Sequence, residues 1–91
     1  MKTALYQTNT GGNCTALTLD LPQGFYMWFT DADGTRPATK ADHDFIAAVY
    51  ADDGETWEPV EYLAGVSLAD AIRESCNTWG REYPENLREV A

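Results

Sequence analysis

Eight carboxylates, Asp42, Asp44, Asp52, Asp53, Glu55, Glu58, Glu61 and Asp70, fall between Lys40 and Arg73 with no Lys or Arg among them. Acids grouped in this way can attract a cationic partner, hold a metal ion or move protons. Along a strand, residues two apart lie about 6.6 Å from each other. That is inside the Debye length of about 8 Å at physiological salt, so neighbouring charges in residues 52–61 reinforce one another. Trp57 and Tyr62 are interleaved with the acids, and exposed aromatics are frequent anchors in protein interfaces. A partner-binding surface is therefore expected from Asp42, Asp44, Asp52, Asp53, Glu55, Trp57, Glu58 and Glu61. The competing account is that acids and Pro59 on an edge strand block sheet-to-sheet pairing while the net charge keeps the domain in solution.

The other two chemistries find less support. Asp31-Ala32-Asp33-Gly34-Thr35 resembles the opening of a calcium loop, with Asp42 at the twelfth position, but the sixth position holds Arg36 where that loop needs glycine. It reads as an Asp-rich turn. His43, between Asp42 and Asp44, is the single histidine and has no partner at the spacing a nucleophile and base require. Thr10-Gly11-Gly12-Asn13 lacks the lysine and the following helix of a phosphate loop and reads as a hairpin turn. Glu58 and Glu61 are a carboxylate pair, but proton transfer also needs a substrate cleft, which so small a core is not expected to offer. The expectation is a protein that is not an enzyme, with no catalytic residue, no metal ligand and no cofactor.

With 91 residues the chain is one domain, 1–91, burying about 60 to 65% of the surface its unfolded form exposes. Eleven aromatics are too many for a disordered acidic tail. Fifteen acids against six bases give a net charge of −9, which argues against direct binding to nucleic acid or an anionic membrane. No stretch approaches the roughly 20 apolar residues that span a bilayer, and the start has no signal-like run, so a cytoplasmic protein is expected. Cys14 and Cys76 are far apart and lack metal or redox spacing. Reduced thiols are expected, a disulfide between the second strand and the helix being the alternative.

The elements that would position these residues follow from turn chemistry and periodicity. Gly, Pro, Asn and Asp punctuate five extended segments, at about residues 3–8, 14–21, 25–29, 45–50 and 56–63. Leu17, Leu19 and Leu21 alternate with Thr18 and Asp20, the pattern of a half-buried strand. Phe25-Tyr26-Met27-Trp28-Phe29 is bulky on both faces and predicts a central strand, with Trp28 a packing residue. Ala47 and Ala48 leave room for something bulky beside them. Asp53-Gly54 predicts a hairpin, and Pro59 places the fifth strand at an edge or in a bulge. Ser67 with Asp70 resembles a capping box, and Leu68, Ala71, Ile72, Cys76 and Trp79 recur at helical spacing, predicting a helix over 68–79 ended by Gly80. Pro84 starts a short second turn through Leu87 and Val90. The expected fold is α+β: an antiparallel β-meander of four to five strands with one C-terminal amphipathic helix packed on one face.

A small, strongly acidic, cysteine-poor domain without a catalytic constellation resembles the anti-defence proteins of phages and mobile elements, the anti-CRISPR and antirestriction inhibitors. The likeness rests on charge and size and carries no motif. It implies nucleic-acid mimicry: a stoichiometric inhibitor, acting in the host-cell cytoplasm, that offers carboxylates to the basic surface of a nucleic-acid-binding protein. The alternative is an accessory or structural domain that docks into a larger assembly or self-associates, its acidity serving solubility only; a homo-oligomer stays open.

Overall fold

The computed structural model describes residues 4–51 and 61–91. Within them β1 (Tyr6–Gly11), β2 (Cys14–Asp20), β3 (Tyr26–Asp31), β4 (Asp44–Tyr50) and β5 (Glu61–Ala64) form one antiparallel sheet in the order β1-β2-β3-β4-β5. This is the α+β meander that the turn signals predict. The doubly apolar β3 is its middle strand and β5 one of its edges. Residues 56–60, expected as the start of the fifth strand and including Pro59, lie outside the described residues, as does the Asp53-Gly54 turn.

The first strand is displaced from its expected 3–8 toward the turn. Gly11, at φ 129°, still pairs with Cys14, and the register shifts between Asn9 and Gly11. Thr10 is the extra residue, and across it the Asn9 side chain accepts the Gly11 N–H at 2.9 Å. At the other end of β2, Pro22–Gly24 forms a single tight turn in which Gln23 adopts the left-handed conformation, φ 65°.

One face of the sheet carries the core. Leu17 and Leu19 of β2, Met27 and Phe29 of β3, and Phe45, Ala47 and Val49 of β4 are buried there by strict alternation. Ala47 stands opposite Phe29 and Ala48 opposite Trp28, so each alanine leaves the space that an aromatic ring takes. Helix α1 (Leu68–Trp79) closes this face with Leu68, Ala71, Ile72 and Cys76, all buried, and with Trp79 packed alongside. Full burial of a side chain such as Phe29 or Ile72 contributes about 1.5–3 kcal/mol.

The helix starts and stops as its sequence specifies. Ser67 Oγ accepts the Asp70 N–H at 3.1 Å, while the Asp70 carboxylate turns outward to Arg73 at 3.1 Å, leaving the capping box half made. Gly80, at φ 68°, returns its N–H to the Cys76 carbonyl. A short helix α2 (Leu87–Val90) adds Leu87 to the same core. Just before it, Asn86 grips the backbone of Leu5 on both sides, accepting its N–H at 2.8 Å and donating to its carbonyl at 2.9 Å. Neither cysteine is in a disulfide; Cys76 is core and Cys14 is half-buried.

Candidate functional site

The loop between β3 and β4 is organised by one buried carboxylate. Asp31 Oδ1 accepts the N–H of Thr35 at 2.9 Å and of Arg36 at 3.4 Å, and its Oδ2 lies 3.3 Å from Arg36 Nε. Burial opposes its ionised form, but those hydrogen bonds and the guanidinium outweigh it and hold the carboxyl below its ordinary range. Arg36 then reaches Asp42 with both terminal nitrogens, at 3.2 and 2.9 Å, and Asp42 also accepts the Thr39 N–H at 2.8 Å. The Arg36 hydrogen bonds, against a smaller burial penalty, hold the Asp42 carboxyl below its ordinary range as well. The pinned loop turns back beside β3: Ala38 N–H bonds to Phe29 and Thr35 accepts from Thr15, seating Ala38 in the core. This is the Asp-rich turn of the sequence reading. Among the described residues no group of three His, Cys, Asp or Glu is placed to hold a metal.

The expectation that Asp42 is an uncompensated carboxylate is corrected by this geometry. A cation six residues upstream neutralises it, and its oxygens are committed to the loop. Asp44 is exposed at the start of β4, paired in register with Ala64, and makes no ion pair among the described residues. Glu61 opens β5 in register with Ala47. Asp52, Asp53, Glu55, Trp57 and Glu58 lie outside the described residues. His43 is exposed, and its carbonyl accepts the Gly65 N–H.

Asp20, Asp33, Asp44, Glu74, Glu82, Glu85 and Glu89 are exposed and form no ion pair among the described residues, whereas Arg36 and Arg73 are both engaged by carboxylates. Unneutralised acids thus extend from the sheet to α1 and the segment around α2. They are not confined to the middle third of the chain.

The second face of the sheet holds a feature that sequence reasoning missed. Tyr26 and Trp28 take alternate positions of β3, Tyr50 stands opposite Tyr26 on β4, and Asp20 opposite Tyr26 on β2. The three rings touch: Trp28 and Tyr50 have centroids 4.6 Å apart, Tyr26 and Trp28 5.6 Å, and Tyr26 and Tyr50 stack at 5.5 Å with planes 20° apart. Tyr6 on β1 extends the patch, donating its hydroxyl to Asp20 Oδ1 at 2.6 Å. Partial burial, that hydrogen bond and the Asp20 charge push the Tyr6 phenol up to about 12. Burial, then the neighbouring Tyr26, raises Tyr50. Trp28 Nε1–H is buried and has no hydrogen-bond partner among the described residues. Both helices contribute to the core on the opposite face. The signal was present as Tyr26-x-Trp28 at strand spacing, but a strand bulky on both sides does not reveal which side a helix will cover.

Between α1 and the core face of the sheet runs a groove of about 630 Å³. Met27, Val49 and Leu63 line it from the sheet, and Trp79, Ser75 and Glu74 from the helix. A cleft of this size was not expected in so small a core. Glu74 is the sole titratable side chain among its described lining residues.

Set beside known proteins, the chain matches no protein-family model, no curated protein and no solved structure.

Proposed function

We propose that this chain is a non-enzymatic acidic binding protein that engages the basic surface of a nucleic-acid-binding protein and inhibits it stoichiometrically. The observation that carries this reading is the set of exposed carboxylates without a cation, from Asp20 and Asp44 on the sheet to Glu74, Glu82, Glu85 and Glu89. In a molecule of net charge −9 their field draws in cationic surfaces and repels phosphate. Carboxylates presented to Lys and Arg stand where a nucleic-acid backbone would, and no turnover is required.

The test is displacement of labelled duplex DNA from basic DNA-binding proteins. A plateau at a fixed molar ratio is expected, with affinity falling steeply as salt rises. Replacing Asp52, Asp53 and Glu55 by Lys slows association at low salt if those residues lie in the interface; unchanged binding by a folded variant removes them from it. Failure to displace DNA from any such protein at low salt overturns the reading.

A second reading, docking or self-association as an accessory domain, is favoured by the apolar side chains of the second sheet face, where Trp28, Ile46 and Ala48 sit in adjacent rows. Sedimentation at several concentrations separates the two. A salt-insensitive dimer supports this alternative.

A further inference from the structure

Resting on the reading above, we propose that the sheet face built by Tyr6, Asp20, Tyr26, Trp28 and Tyr50 takes the arginine side chains of an extended basic segment of the partner. The chemistry of the face selects that occupant. Three ring systems within 5.6 Å of one another present π surface that attracts a cation, and their close packing makes a stacking surface rather than an open cage. Asp20 lies at its margin: Tyr6 occupies Oδ1, and the carboxylate keeps Oδ2 for a second donor. A guanidinium suits both features at once, because its plane stacks on a ring while its edge N–H groups reach a carboxylate; an ammonium has no such plane.

Charge weighs against the competing occupants. Nucleic-acid bases stack on aromatic rings equally well, but they arrive with phosphates that a −9 molecule repels. A second copy of the chain would bring Asp20 and the rest of its acids toward their own equivalents. A basic segment brings the opposite charge, and stacking then adds lasting affinity to electrostatic attraction.

The test compares labelled deca-arginine with deca-lysine, titrated into the intact protein at low and at physiological salt. Equal charge cancels the general field, so a preference for arginine of about three- to fivefold isolates stacking. Tyr50→Leu and Tyr26→Leu should each erase most of that preference, with Tyr83→Leu, away from this face, as the control. The indole N–H resonance of Trp28 should move on adding deca-arginine to the unmutated protein, which needs no variant to fold. If both peptides bind equally, with the Trp28 signal unmoved, the aromatic face is not the site while the acidic-binder reading stands. If neither binds at low salt, both fall. Self-association lost in the Tyr50 variant without any peptide preference assigns the face to a second copy and overturns the inference.

Discussion

Arg36 neutralises two acids of a chain with few cations to spare. Asp31 and Asp42 both titrate below the ordinary carboxylate value, near 4, so the folded state holds fewer protons in acid than the unfolded state. Their contribution to stability is complete above about pH 5 and is lost as pH falls through 4 and below. Replacing Arg36 by Gln should flatten the fall of melting temperature between about pH 5 and 3; an unchanged slope would mean the pairs carry none of it. Asp31→Ala strips two backbone N–H groups of their acceptor and should cost about 2 kcal/mol in a urea titration. Gln23, in the left-handed region, is a place to gain stability: Gln23→Gly is expected to raise it by about 0.5–1 kcal/mol, read from the same titration. The sequence suggested an Asp-rich turn here, because Asp31, Asp33 and Gly34 have turn chemistry whatever surrounds them. It did not show that Arg36 would reach Asp42, because a pairing across six loop residues depends on the path that the Ala38 contact imposes.

Periodicity made the secondary elements legible. Helix α1 occupies the predicted span because its apolar spacing, its Ser67 start and its Gly80 stop are local signals that agree. Ser67→Ala should lower stability by about 1 kcal/mol, and Phe29→Ala, which empties the middle of the core, by about 3–5 kcal/mol; equilibrium unfolding would distinguish the two. The first strand was less legible, since Gly11-Gly12-Asn13 offers more than one turn register and a bulge absorbs the difference. Least legible was which face of β3 the helix covers. Met27 with Phe29 and Tyr26 with Trp28 are comparably bulky, and the decision falls to β2 and β4, where Leu17, Leu19 and Val49 take the core side and Thr18, Asp20 and Tyr50 the other. The aromatic patch therefore emerges from three strands together and from none alone.

At the scale of the whole molecule, every rung of the sheet joins strands that follow one another in sequence. Such a chain zips up locally with little loop closure to overcome. Among the hydrogen bonds of the described residues, the longest span is the two-sided grip of Asn86 on Leu5, across 81 positions. That grip works as a buckle on a belt, drawing the start of the sheet and the segment after α1 into one cooperative unit. Asn86→Ala should therefore speed amide exchange at Leu5 and at Leu87–Val90 together while leaving Phe29 protected. A fold assembled from neighbours would then tie its first strand to its last helix through one side chain far along the thread, beside the core they share.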